Sequence, residues 1–174
     1  MPTTFPHTTF AAWLQGTGVS SVGIILDTSG SVPQSELHQV MVATADLPTS
    51  AISGIALTDT QVQKSGSRDE ILYSILSSRN YGGGTDFSRI AEDAWKRTGC
   101  PPHLALISDG ESARWPARFP VPTTIFLIDR HGPTIAKMGP NHVYKLPPCT
   151  ASTNVQDILV LDLPALQDLS RGLD

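Results

Sequence analysis

Apolar residues along the chain gather in short continuous runs, and between the runs they recur at helical spacing. Val22-Gly23-Ile24-Ile25-Leu26 is the first run, closed by Asp27. A short run without polar alternation suits a strand covered on both faces, as in a parallel sheet with helices above and below. Residues 52–57, 103–108 and 124–128 repeat the pattern, the last two ending at Asp109 and Asp129. After 52–57, Thr58-Asp59-Thr60 can turn the chain into a short polar partner strand over 61–65, which belongs at a sheet edge.

The helical signals lie between these runs. Leu37, Val40, Met41 and Ala45 mark one inward face, with Pro33 suited to a first turn and Pro48 standing beyond the end. Ser67-Arg68-Asp69-Glu70 is a capping box, followed by Ile71, Leu72, Ile75 and Leu76 on one face. Phe87, Ile90, Ala91, Ala94 and Trp95 fall at i, i+3, i+4, i+7 and i+8. Asp86 is placed to cap that helix, and Gly99 with Pro101 to stop it. The alternation predicts an α/β fold: an open, mostly parallel central sheet flanked by helices on both faces, with right-handed crossovers.

The C-terminal half predicts fewer helices. Pro116, Pro120 and Pro122 leave no room for a long helix over 111–122, and 130–141 admit at most a turn or two around 134–138. Residues 142–146 read as a last parallel strand, 158–163 as an apolar segment of either type, and 164–171 as a short terminal helix. The length of 174 residues fits a single domain over 1–174. Its core is expected at about 20–146, with 150–174 as a tail packing back.

Composition excludes some classes of function. Hydrophobic residues are 40% and aromatics only 6%, so the core should be aliphatic. Twelve Lys+Arg against sixteen Asp+Glu give −4, which offers no electrostatic footprint for nucleic acid. No apolar run approaches the roughly 18–20 residues of a membrane span, and no basic segment followed by an apolar one opens the chain. The expectation is a soluble, intracellular protein with no membrane partner. Cys100 and Cys149 lack zinc-site spacing; each adjoins a proline and is expected as a buried or half-buried thiol. His7, His38, His103, His131 and His142 show no ligand spacing either.

Three features fall at the carboxyl ends of predicted strands, where open α/β sheets place their ligands. Asp27-Thr28-Ser29-Gly30-Ser31 follows the first strand, Gly82-Gly83-Gly84-Thr85-Asp86 precedes the best helix, and Asp109-Gly110-Glu111 follows the 103–108 strand. They converge Asp27, Ser29, Ser31, Thr85 and Asp109 on one edge. All are oxygen donors, which suits a hard divalent cation: Mg²⁺ first, then Mn²⁺ or Ca²⁺. The glycine run has no following Gly-Lys-Ser/Thr, so it is not a phosphate loop, and Ser29 lacks the Gly-x-Ser-x-Gly elbow of a hydrolase nucleophile.

In this order and wording the three pieces resemble the metal-ion-dependent adhesion site of the von Willebrand factor A family, over roughly residues 20–146. Gly-Gly-Gly-Thr-Asp-Phe and Leu-Ile-Ser-Asp-Gly-Glu are most similar to the domain of this type that ends a family of predicted bacterial and phage metallopeptidases; Asp59 fits an Asp habitual in that branch. The peptidase part is absent here, as is any His-Glu-x-x-His. The resemblance implies a metal at the top edge of the sheet. Ser29, Ser31 and Thr85 would bind it directly, and Asp27 and Asp109 directly or through water. It further implies an open coordination position for an Asp or Glu of a partner protein, an AAA+ ATPase as a machine such proteins work with, and a cytoplasmic setting in a bacterial cell or phage-infected host. The expected function is therefore non-catalytic, metal-dependent protein binding. The alternative is a Mg²⁺-dependent phosphohydrolase with Asp27 as nucleophile, although such enzymes place an acid where Ser29 stands.

Overall fold

Each of the four apolar runs becomes a strand of one sheet. The structure, a computed structural model, describes residues 6–28, 34–45, 47–77, 86–108, 115–128 and 154–163. Along the chain these form β1 (His7–Thr8), α1 (Phe10–Thr17), β2 (Val22–Asp27), α2 (Gln34–Ala45), β3 (Ile52–Thr58), β4 (Val62–Gly66), α3 (Arg68–Ser77), α4 (Phe87–Arg97), β5 (Leu104–Ser108), β6 (Thr123–Ile128) and β7 (Val155–Leu161). The seven strands lie in the order β1-β7-β6-β5-β2-β3-β4. All neighbours run parallel except β4, which pairs antiparallel with β3 and closes one edge, as its polar sequence predicts.

Alternation along the strands sends side chains to two cores. Ile24, Leu26, Ile55, Leu57, Ala105, Ile107, Phe126 and Ile128 pack with Phe10 and Trp13 of α1, Leu37, Val40 and Met41 of α2, and Ile71 of α3. Ile25, Ala56, Leu104, Leu106, Ile125 and Leu127 face the other way and pack with Phe87, Ile90, Ala91 and Ala94 of α4. The α/β architecture with helices on both faces is thus the expected one. Among the described residues no helix follows α4, and Phe119 fills part of that second core from the connection after β5. No helix among the described residues is long and apolar enough to cross a membrane.

Local signals set the helix ends. Asp86 caps α4, its Oδ1 accepting from the Ser88 amide at 3.1 Å. Gly99 (φ 95°) turns the chain out of α4 through a backbone region that side chains avoid. Of the box expected before α3 the first bond forms: the Ser67 hydroxyl accepts from the Glu70 amide at 3.4 Å, while Glu70 Oε1 accepts from that hydroxyl, at 3.2 Å, and not from the Ser67 amide. Arg68, first in α3, reaches back to the end of α2 and donates from one guanidinium nitrogen to the carbonyls of Thr44 (3.0 Å) and Leu47 (2.8 Å). A cation on the last carbonyls of a helix satisfies orphan acceptors and opposes the negative end of its dipole. Arg68→Ala should therefore cost about 1–2 kcal/mol in denaturant unfolding. Arg68→Lys should restore only part, because the shorter lysine side chain must place its ammonium where the Nη1 nitrogen now stands.

Several expectations need correction. The inward face of α2 ends on Thr44, not Ala45: Thr44 is fully buried with its hydroxyl on the Met41 carbonyl at 2.7 Å, while Ala45 is exposed. Cys100 is exposed rather than buried. It follows Gly99 with a positive φ of 52° of its own, and Pro101 goes inward in its place. The segment at 158–163 resolves into β7, beginning at Val155 and seated between β6 and β1. Expectations over 130–141, 142–146 and 164–171, and for Cys149, lie outside the described residues.

β1 and α1, for which the sequence pattern predicts no element, add to the fold at the N-terminal segment. Thr9 caps α1 through Ala12 N at 3.2 Å, and Gly18 (φ 67°) ends it. Phe10, Trp13 and Phe126 form a closed aromatic group at centroid separations of 5.0–5.6 Å. Trp13 also lies against His103, which is 4% exposed and bonded through Nε2 to Thr124 Oγ1 at 3.0 Å.

Burial holds the His103 pKa below its ordinary value of 6.5. The unfolded chain then takes up this proton first as pH falls. Stability from His103 is fully present above about pH 6.5 and declines below it. Urea unfolding of the wild type should lose more stability between pH 6.5 and 5 than His103→Gln does; parallel profiles would show that His103 protonates equally in both states.

Candidate functional site

Strand order reverses between β2 and β5. From β2 the sheet proceeds through β3 to β4 on one side, and from β5 through β6 and β7 on the other. The crevice outside the carboxyl ends at such a reversal is where open α/β sheets bind ligands. Register carries Leu26 opposite Ile107, so the next residues, Asp27 and Ser108, end the two central strands side by side.

Both side chains are fully buried, and the Ser108 hydroxyl donates to Asp27 Oδ2 at 2.7 Å. Parity explains the meeting: Asp27 continues the Gly23, Ile25 series of β2, and Ser108 the Leu104, Leu106 series of β5, both on the α4 face. A carboxylate removed from water is costly unless donors or a cation compensate it. A hydroxyl at this distance is a charge-assisted bond and fixes the direction of the carboxylate.

The neighbouring strand end is locked as firmly. Thr28 donates to the Thr58 carbonyl from both its amide (2.8 Å) and its hydroxyl (3.0 Å), which holds the chain leaving β2 against β3. Asp59, just beyond β3, is 4% exposed. Its Oδ1 accepts from the Gln61 amide at 3.1 Å and from Gln63 Nε2 at 2.8 Å, and its carbonyl accepts from the Asp86 amide at 3.4 Å. The N-terminus of α4 is thereby attached to the carboxyl edge of the sheet. Trp115 lies on Phe87, the first residue of α4, at 5.0 Å between ring centroids. With Phe119 fully buried, the two aromatics close part of the second core.

Of the five residues expected to hold a metal, Asp27 stands at the predicted edge. Ser29, Ser31, Thr85 and Asp109 lie outside the described residues. In the sequence Ser29 directly follows Thr28 and Ser31 lies two residues further, Thr85 precedes Asp86, and Asp109 follows Ser108. Among the described residues no group of three or more His, Cys, Asp or Glu could hold a metal ion. The donors present at the reversal, a carboxylate and a hydroxyl without thiolate or imidazole, fit a hard cation. Sequence reasoning passed over Ser108 as the partner of Asp27. Their separation is 81 residues, and only the adjacency of β2 and β5 reveals the pair.

No protein-family model matches this chain, and no curated protein matches it.

Proposed function

We propose that this chain is a non-catalytic, divalent-metal-dependent protein-binding module of the von Willebrand factor A type. The observation that carries the reading is the buried, hydrogen-bonded Asp27 at the reversal of strand order, followed directly by Thr28-Ser29-Gly30-Ser31. Asp27, Ser29, Ser31, Thr85 and Asp109 would hold Mg²⁺, with Mn²⁺ or Ca²⁺ as substitutes. When bound, the cation would supply an electron-poor coordination position, because three of its ligands are neutral hydroxyls. A carboxylate from an Asp or Glu of a partner protein suits that position better than water does. An AAA+ ATPase is a candidate partner, in a bacterial cell or a phage-infected host. Full burial and the Ser108 bond suit Asp27 to a fixed ligand role; a nucleophile must stay free to approach its substrate.

Calorimetric titration with Mg²⁺ and thermal melts with and without EDTA test the reading. One bound ion is expected. At a concentration of about 100 times Kd it should add about 2.7 kcal/mol to the stability of the folded state. Asp27→Asn and Ser31→Ala should each abolish or strongly weaken the uptake. Identical melting in EDTA and in millimolar Mg²⁺, with no heat of binding, would refute the site. Partner capture should fail in EDTA, recover with Mg²⁺ and weaken in Thr85→Ala; a partner indifferent to all three docks elsewhere.

A further inference from the structure

Asp59 is buried at the carboxyl edge, yet it is not among the five residues assigned to the metal. Its side chain and its backbone perform different tasks. Oδ1 gathers two donors from the following turn, the Gln61 amide and the Gln63 side chain, while the Asp59 amide donates to the Gln61 carbonyl at 3.0 Å. These three bonds close the turn from β3 into β4 and hold the Asp59 peptide in its orientation. In that orientation its carbonyl accepts from the amide of Asp86. Asp86 in turn is the cap of α4, and consecutive Cα atoms are held about 3.8 Å apart, so a fixed Asp86 limits where residue 85 can lie.

We infer that Asp59 is a positioning residue of the proposed metal site: its carboxylate shapes the β3–β4 turn so that the turn anchors Asp86, the residue to which Thr85 is covalently joined. The inference rests on the metal-site reading above. It explains why a carboxylate is buried beside the site with one oxygen committed to two neutral donors. What the role requires is an acceptor at the Oδ1 position, and not a negative charge, which separates it from direct ligation. Asparagine presents the same acceptor and alanine presents none.

Mg²⁺ titration of the wild type, Asp59→Asn, Asp59→Ala and Gln63→Leu tests it, together with amide exchange at Gln61 and Asp86 in the metal-free protein. Asp59→Ala should weaken Mg²⁺ binding about 10–100-fold, the range for groups that orient metal ligands without touching the metal. Its Asp86 amide should exchange faster while unfolding stays cooperative. Asp59→Asn should keep near wild-type affinity and exchange. Gln63→Leu, which removes one bond from a half-buried side chain, should lose about three- to tenfold. Loss in Asp59→Asn equal to that in Asp59→Ala would make Asp59 a ligand and overturn the positioning role. Wild-type affinity in Asp59→Ala would also overturn it while leaving the metal site intact. Absence of Mg²⁺ binding by the wild type would instead refute the metal reading and this inference with it. Should Asp59→Ala fail to fold, Gln63→Leu decides: a loss of threefold or more supports the role, and unchanged affinity refutes it.

Discussion

Phe126→Ala is expected to destabilise the protein by about 3–5 kcal/mol, the range for removing a large aromatic side chain from a core that cannot collapse around the space. Phe126 is fully buried on β6, stacked on Phe10 at 5.1 Å and edge-on to Trp13 at 5.0 Å. Both partners belong to α1, a helix of eight residues that is too short to persist by itself in water. Its attachment to the sheet depends on this aromatic group, so the substitution should also loosen the N-terminal segment. Urea unfolding measures the first effect, and Trp13 emission in Trp95→Phe/Trp115→Phe backgrounds measures the second. Phe126→Leu, which keeps much of the volume, should cost under about 2 kcal/mol. A loss below about 1 kcal/mol in Phe126→Ala would show that α1 is held by something else.

Gly23→Val should cost about 3 kcal/mol or more, at the upper end for overpacking. A Cβ at position 23 would stand 2.6 Å from Thr98 Oγ1 and 2.7 Å from Pro101 Cγ. Neither can move aside. Thr98 Oγ1 is tied to the carbonyls of Ala94 (2.8 Å) and Trp95 (3.0 Å), and the Pro101 carbonyl accepts from Trp95 Nε1 at 2.9 Å. A Cβ at Gly54, the register partner of Gly23 on β3, would stand 3.0 Å from Thr98 Cα. The C-terminal end of α4 thus sits directly on two bare strand positions. Pushing it outward moves a helix whose other end carries Asp86, so Gly23→Val should disturb the carboxyl edge of the sheet as well as stability. Gly16→Ala is the control: nothing lies within 4 Å of its Cβ, and inside α1 alanine should add about 0.5–1 kcal/mol. Equal stability of Gly23→Val and wild type would mean that α4 does not rest on β2 as described.

Burial on both faces makes a parallel strand apolar throughout, which is why β2, β3, β5 and β6 were legible as runs and α4 as a one-sided stripe between them. The caps were legible for a related reason. Ser67, Asp86 and Gly99 act on backbone groups within a few residues of themselves, so their chemistry is contained in a short window. α1 carried comparable signals in Thr9 and Gly18, but with two buried positions, Phe10 and Trp13, its stripe is too brief for periodicity to stand out. β7 begins with Val155 and then exposes Gln156 and Asp157 at a register irregularity, which hides the strand character of the apolar run behind it.

The candidate site divides along the same line. Residue types and their order single out Asp27, Ser29, Ser31, Thr85 and Asp109, because each piece adjoins a strand run or a helix start whose character is local. Which strand ends are neighbours is not local. The reversal between β2 and β5, the bond from Ser108 to Asp27 across 81 residues, and the hold of Asp59 on Asp86 exist only after the strands have been ordered and registered. Strand order follows from how whole faces bury against α1, α2 and α4 together, a sum over distant side chains. Periodicity within one segment therefore foretells the elements, and the packing of all of them decides which side chains meet.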